Sequence, residues 1–384
     1  MDPHRILDGL NPEQRQAAES VRGPVCVLAG AGTGKTTTIT RRIAYQVATG
    51  TFGAAEILAV TFTDRAAREM RSRLEALGVS GVRARTFHAT ALAQLHHFVP
   101  QTGQILSSKA IVLGPLVRSL HRAFRSRPLA EIATEIEWAK NRRVTPDRYL
   151  DELDGHRPPV PEDVMLRVYR GYEERKRRAG RLDFEDVLEH LVRVYESDPS
   201  ACKRFRARCG AITVDEYQDV NLLQQALLDL WLGDRDELCA VGDDYQAIFA
   251  FTGATPEYLL GMPSRYPGAR VIRLEENYRS TPEVLELANR LAPALGGAAK
   301  ALRAARAPGP EPQFELCATR QAEVAWVVER VRAIRQQGVP DEEIAVLLRV
   351  NARSDDLEGP LAEAGIPYQV RGGSFLERPA VRAV

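Results

Sequence analysis

A short apolar run that breaks into glycines and then into a Lys-Thr pair constrains this chain more than any other segment. Val25-Cys26-Val27-Leu28-Ala29 is followed by Gly30-Ala31-Gly32-Thr33-Gly34-Lys35-Thr36-Thr37. Five consecutive apolar residues predict a buried strand, the glycines a loop, and the residues from about Lys35 a helix. A loop of this kind turns backbone N–H groups toward one point, and the helix N-terminus adds a favourable dipole, so phosphate oxygens are its natural ligand. Lys35 reaches the terminal phosphates and the Thr36 hydroxyl takes Mg²⁺. Residues Ala29, Gly30, Ala31, Gly32, Thr33, Gly34, Lys35, Thr36 and Thr37 are therefore the candidate nucleotide-binding loop. Ala29 stands where the general pattern has glycine, which leaves the phosphate-facing end intact. The rival is an incidental glycine-rich turn, and the ordered strand, loop, Lys-Thr and helix weigh against it.

The same alternation continues. Ile57 to Thr61 predicts a second strand with a helix from Asp64 to Leu77, and Val82 to Arg85 a third strand ending at Thr86-Phe87-His88. Strand–helix alternation means a parallel sheet covered by helices. From about Leu92 to Arg181 strand signals nearly vanish and helical periodicity dominates. The α/β rhythm returns with Ala211–Asp215, Glu237–Val241 and Arg270–Leu274. An Ala/Gly/Pro-rich tract from Ala292 to Pro312 reads as loose. Beyond it come a strand (Phe314–Cys317), a helix (Gln321–Gln336) and a strong strand (Ile344–Leu348).

Bulk properties bound the rest. A chain of 384 residues exceeds what one core usually organises, so two to four domains are expected. Apolar runs stay far short of the roughly 20 residues a bilayer demands. The polar N-terminus carries no apolar signal segment, so a cytoplasmic, nucleoid-associated protein without a membrane partner is expected. Five cysteines without a CxxC pair argue against zinc or a structural disulfide. A net charge of +1 is silent about nucleic acid, and arginine-rich clusters such as Arg118 to Arg127 read first as solvated helix faces.

A further strand, Ile212-Thr213-Val214, delivers Asp215-Glu216-Tyr217-Gln218-Asp219. In phosphate-loop hydrolases an aspartate at a strand end meets the Mg²⁺ shell, which is the role expected of Asp215 beside Thr36. The adjacent Glu216 is placed to take a proton from the attacking water. An ordinary helix cap is the alternative, a poor one beside the glycine-rich loop.

With these two motifs together the chain resembles the UvrD/PcrA/Rep family of superfamily 1 DNA helicases, over nearly its whole length. Leu10-Asn11-Pro12-Glu13-Gln14-Arg15 is similar to the family's Q motif, which implies that Gln14 reads adenine. Val241 to Phe249 resembles motif III, in which Gln246 senses the terminal phosphate. Glu276-Asn277-Tyr278-Arg279-Ser280 resembles motif IV, where Tyr278 stacks on adenine and Arg279 touches the γ-phosphate. The resemblance thus implies ATP with Mg²⁺, and a catalytic set of Lys35, Glu216, Gln246 and Arg279. Thr61-Phe62-Thr63 looks like motif Ia and Thr86-Phe87-His88 like Ib. Leu182 to Asp186 is similar to a further DNA-contact segment. These imply DNA contacts at Thr61, Phe62, Thr63, Thr86, Phe87, His88, Phe184 and Phe251. Aromatics stack on bases tolerantly of sequence, though core packing is the commoner fate of any one phenylalanine. Asp64-Arg65 replaces the usual Asn-Lys of motif Ia, and Phe251-Thr252 the usual Trp-Arg of motif III.

The fold implied is an α/β, RecA-like motor domain, 1–91 and 182–276, carrying a helical insertion, 92–181. An incomplete second RecA-like domain, 277–384, follows, with motifs V and VI expected beyond Val384. The function implied is ATP-dependent 3′-to-5′ translocation and unwinding on single-stranded DNA and its junctions with duplex, in repair or replication. Two alternatives stay open at this point: an ATP-gated single-strand DNA-binding module that does not unwind, and an unrelated phosphate-loop kinase or transporter ATPase.

Overall fold

The computed structural model describes residues 2–98, 103–125 and 127–370. Ten strands lie among these residues: β1 Val25–Ala29, β2 Ile57–Thr61, β3 Arg83–Thr86, β4 Gln104–Ile105, β5 Arg181–Leu182, β6 Ala211–Val214, β7 Leu238–Gly242, β8 Arg270–Leu274, β9 Glu276–Asn277 and β10 Arg303–Ala304. Six of them form one sheet in the order β3-β2-β6-β7-β1-β8, parallel throughout. Each crossover carries chain over a face of the sheet, so β1, β2, β6 and β7 are buried on both sides, and they read as unbroken apolar runs for that reason. The sheet divides two cores. One holds Leu58, Val60, Leu188, Leu191, Val214, Leu227 and Trp231, and the other Val25, Val27, Ile39, Ile43, Ile57, Met70 and Leu274.

The helical insertion has its own core, from Leu106 to Tyr172, built around Leu113, Ile132, Ile136, Tyr149, Met165 and Tyr169. Helix Phe87–Phe98 runs past the expected boundary at 92, because its Ala91 and Leu95 bury against Val187 and Leu191 of the sheet-side core. The short pair β4–β5 ties the two ends of the insertion together, Gln104 opposite Arg181 and Ile105 opposite Leu182. Among the described residues no helix is long and apolar enough to cross a membrane.

The chain divides at Pro310 into two compact units. Residues 277–310 pack with the first unit rather than beginning the second. β9 and β10 pair in parallel there, and Asn277 is tied to the glycine-rich loop. The tract from Ala292 to Pro312 is thus not loose where it forms β10. The second unit holds helices Arg320–Gln336 and Asp355–Glu363 around Val328, Val331, Leu357, Leu361 and Ile366. The strands expected at Phe314–Cys317 and Ile344–Leu348 do not form among the described residues. An apolar extended run becomes a strand only when a neighbour takes up its N–H and C=O groups, and no partner ladder is present for either.

Candidate nucleotide site and nucleic-acid edge

All the chemistry-bearing loops leave the carboxyl ends of the parallel strands, the edge at which open α/β sheets place their ligands. The glycine-rich loop follows β1, Asp215 and Glu216 follow β6, and Asp243 follows β7, so these three adjacent strands form one half of the edge. Thr61 ends β2 and leads into Phe62-Thr63, and Thr86 ends β3 and leads into the helix that opens with Phe87-His88, forming the other half.

Gly32 and Gly34 are glycines of necessity. Both have positive φ, +72° and +82°, and a Cβ on Gly32 would lie 2.7 Å from the Arg279 Cβ. A Cβ on Gly34 would lie 2.7 Å from the Gln14 Nε2. The loop is therefore embraced from two sides. Gln14, buried, donates from Nε2 to the Thr33 carbonyl (2.9 Å) and accepts at Oε1 from the Asn11 N–H (3.2 Å). From the other side Asn277 donates to the Ala31 carbonyl (2.5 Å), and the Tyr278 N–H donates to the Gly32 carbonyl (3.0 Å). The Asn277 side chain also accepts from the Arg279 and Ser280 N–H groups. This buried residue sets where Tyr278 and Arg279 stand. Its place in the sequence motif carried no sign of that role, which needs the loop as its partner.

Asn11 binds both the Glu276 carboxylate (2.9 Å) and the Tyr278 hydroxyl (3.0 Å), which closes Gln14 and half-exposed Tyr278 into one corner beside the loop. Burial first, then its hydrogen bond to Glu276, raises the Tyr278 phenol above its ordinary pKa. Ala29 and Thr33 point inward. Ala29 belongs to the sheet core, and the Thr33 hydroxyl donates to the Gly30 carbonyl (2.8 Å), so both shape the loop with buried side chains.

The Lys35 ammonium lies 2.8 Å from Glu216 Oε2, and Gln218 Nε2 donates to the same oxygen (2.9 Å). Glu216 adopts a left-handed backbone, φ +50° and ψ +43°, a conformation costly for a residue with a Cβ. Such strain is kept where a side chain must be aimed, and here it turns the carboxylate toward Lys35. Asp215 is buried at the end of β6, its pKa pushed up to about 7 by burial first and then by Glu216, with Lys35 opposing. A buried carboxylate so short of positive charge fits a cation, and Thr36 opens the loop helix as the second hard oxygen donor. The residues present thus suit Mg²⁺ bound with a nucleotide. Gln246 donates from Nε2 to Asp243 Oδ2 (2.6 Å). Gln218, whose role the sequence did not reveal, accepts at Oε1 from the Asp243 N–H (2.9 Å) and so joins the carboxylate loop to the Gln246 loop.

The residues expected to meet DNA sort by exposure. Phe184 and Phe251 are exposed at 50% and 58%, and Phe184 packs edge-on to His88 (centroids 5.7 Å apart). Phe62 is half-buried and Thr63 caps the following helix at its Ala66 N–H. Phe87 cannot stack on a base. It is 1% exposed, parallel to Trp231 at 6.0 Å in the core, because the first residue of helix Phe87–Phe98 faces the sheet. Thr61 and Thr86 are buried as well, their hydroxyls engaged with the Thr63 carbonyl and the Ala89 N–H, so they shape turns. The turn carrying Phe249 and Phe251 is held from the insertion, where Asn141 donates to the Thr252 carbonyl (2.7 Å).

Residues 10–267 match the UvrD/REP helicase N-terminal domain family, and residues 272–384 the UvrD-like helicase C-terminal domain family. The chain is similar to a protein of Mycobacterium tuberculosis named ATP-dependent DNA helicase UvrD2, 44% identical over 98% of this chain and 57% of that protein. It is similar also to DNA helicase II of Escherichia coli, 36% identical over 100% of this chain and 54% of that protein. The chain thus spans little more than half the length of these curated relatives. With a glycine-rich loop, a strand-end carboxylate pair and the Asp243–Gln246 loop on one sheet edge, and with a family match over most of its length, the chain belongs to the UvrD/Rep helicase family.

Proposed function

We propose that this chain is the ATP-hydrolysing, DNA-gripping part of a 3′-to-5′ helicase that acts on single-stranded DNA and its junctions with duplex, in repair or replication. The observation that carries the reading is the shared sheet edge. The Lys35–Glu216 pair and the exposed aromatics Phe184 and Phe251 stand on loops of one rigid sheet or on helices packed against it. A small shift of the Gln246–Phe251 loop would then be felt on both sides. The organisation proposed with it is a motor domain of 1–91 and 182–276, an insertion of 92–181, and a second motor domain from 277, whose first part, to Pro310, docks on the first unit.

In this reading adenine lies between Tyr278 and Gln14. The Gln14 amide keeps one N–H and one oxygen lone pair beyond its internal bonds, the pair that a glutamine offers to the N7 and N6 of adenine. Thr36 and Asp215 would hold Mg²⁺, which would neutralise phosphate charge. Lys35 leaves Glu216 for the phosphates. Glu216 accepts a proton from water as the water oxygen bonds to the γ-phosphorus and the bond to the bridging oxygen breaks, leaving ADP and phosphate. Gln246 and Arg279 face the γ-phosphoryl group, and the Arg279 guanidinium, exposed and without an ion pair among the described residues, is available to it.

Steady-state ATP hydrolysis with and without single-stranded DNA, in wild type and Glu216→Gln, tests this. DNA-stimulated turnover that the variant loses is expected. Turnover indifferent to DNA overturns the reading and leaves an ATPase that is not coupled to DNA. DNA-stimulated turnover without strand separation on a tailed duplex restricts it to an ATP-gated binding module.

A further inference from the structure

Lys300 lies in the tract that composition presents as loose, yet its side chain is 1% exposed. Its ammonium is 2.5 Å from Asp243 Oδ1, is bonded also to Asp244 Oδ1, and sits 4.1 Å from the centre of the Tyr245 ring. Both carboxylates are buried with it. The backbone around the lysine is clamped to two of these residues, Asp244 and Tyr245. The Ala298 N–H donates to Asp244 Oδ2 (2.8 Å), and the Tyr245 hydroxyl donates to the Ala298 carbonyl (3.0 Å). Gly297, at φ +83°, leaves no room for a Cβ against Asp244.

What Lys300 holds is continuous with the reaction site. Asp243 divides its carboxylate between Lys300 at Oδ1 and the Gln246 amide at Oδ2, while its N–H binds Gln218, which in turn binds the Glu216 oxygen held by Lys35. On the other side, three residues past Lys300, β10 pairs with β9 in the register Arg303 to Glu276 and Ala304 to Asn277, immediately before Tyr278 and Arg279. One buried ammonium therefore joins the loop that carries Gln246 to the segment that carries Arg279.

We propose that Lys300 is a positioning residue for ATP hydrolysis, fixing Asp243 so that Gln246 and Arg279 address the γ-phosphate together. The inference rests on the ATPase reading above. Without the ammonium, the Asp243 carboxylate keeps only the Tyr245 N–H at Oδ1 and the Gln246 amide at Oδ2, with no charge to offset its burial, so its hold on Gln246 loosens. A lysine that served packing alone would not share its carboxylate partner with a phosphate sensor.

The test compares Lys300→Met, Lys300→Gln and Lys300→Arg in the full chain, with melting temperature, ATP affinity by a fluorescent analogue, kcat and KM all measured. The expected result is kcat lower by about 10- to 100-fold in the neutral variants, the loss typical of groups that orient a ligand from behind. ATP affinity stays within about threefold of wild type, well inside that loss. Lys300→Arg recovers part of kcat. The Gln variant, which keeps a donor for one aspartate, serves if the Met variant does not fold. A folded Gln variant with wild-type kcat overturns the proposal, and so does an equal loss of kcat and ATP affinity in the Gln and Arg variants. Amide exchange over 243–252 needs no turnover. It is expected to quicken in the Gln variant while β1 stays protected, and unchanged exchange overturns the proposal. Wild type that fails to hydrolyse ATP is a separate outcome, which defeats the ATPase reading and leaves the exchange measurement to decide on Lys300.

Discussion

The Lys35 ammonium and the Glu216 carboxylate are partners at 2.8 Å, so the group proposed to bind phosphate and the group proposed to activate water are held against each other. On the proposed reading, phosphate oxygens would compete for Lys35, and its departure would free Glu216 as a base. Lys35→Ala is expected to weaken ATP binding by about 1.5–3 kcal/mol, the worth of hydrogen bonds to a charged group. Glu216→Gln removes the competitor and is expected to bind ATP at least as tightly as wild type. Titration of both variants with a fluorescent ATP analogue checks this, and equal weakening in the two would refute it.

Two phenylalanines expected to act alike should separate. Phe251→Ala, at an exposed position, is expected to cost about 1–3 kcal/mol of single-stranded DNA affinity with little change in melting. Phe87→Ala removes a ring stacked on Trp231 in the core and is expected to cost about 3–5 kcal/mol of stability. Urea unfolding and DNA titration by anisotropy distinguish the two, and a stable Phe87→Ala with a specific loss of DNA affinity would contradict the burial argument.

Asn141 reaches from the helical insertion to the Thr252 carbonyl, beside Phe251. Asn141→Ala is expected to raise the DNA concentration for half-maximal ATPase stimulation by up to about tenfold, the effect of one lost, partly buried hydrogen bond of at most about 1.4 kcal/mol. Basal hydrolysis should be unchanged. An altered basal rate with unaltered DNA response would refute the assignment.

Lys140 and Lys176 sit buried among Asp183, Asp186 and Glu173. Burial opposes the Lys140 charge, but Asp183 and Asp186 outweigh it and raise the ammonium well above its ordinary pKa. Two ammonium groups occupy what would otherwise be a carboxylate cage for a metal. Lys140→Met leaves Lys176 as the one ammonium facing three carboxylates and is expected to destabilise by about 3–5 kcal/mol in urea unfolding. Destabilisation below about 1 kcal/mol, the range of exposed ion pairs, would show the cluster to be solvated.

His88 carries a pH dependence of definite sign. Burial first, and the Lys109 ammonium second, push its imidazole down to about 4. The unfolded chain takes up a proton near pH 6.5 that the folded chain refuses. The His88 contribution to stability is therefore constant above about pH 6.5 and falls as pH drops from there toward about 4. An NMR titration of the ring should show no step near 6.5, and a midpoint there would mean an exposed imidazole.

What the sequence determined by itself is local. The run Val25–Ala29, the glycines and Lys35-Thr36 predict strand, loop and helix because the pattern that forms each element is contained in a few consecutive residues. The observed strand Val25–Ala29 and the helix from Lys35 match that reading. The parallel sheet follows from alternation, and the family from motif order. Tertiary structure alone decided the rest. Phe87 and Phe251 are the same residue type in similar motifs, and only the direction of a helix face buries one and exposes the other. The runs at Phe314 and Ile344 have strand composition but no neighbour to pair with among the described residues. Asn277, Gln218, Asn141 and Lys300 act through partners far along the chain, or through loops whose course local sequence does not set. A buried ammonium in an alanine- and glycine-rich tract leaves no periodic trace, because its reason for being there is two carboxylates more than fifty residues away.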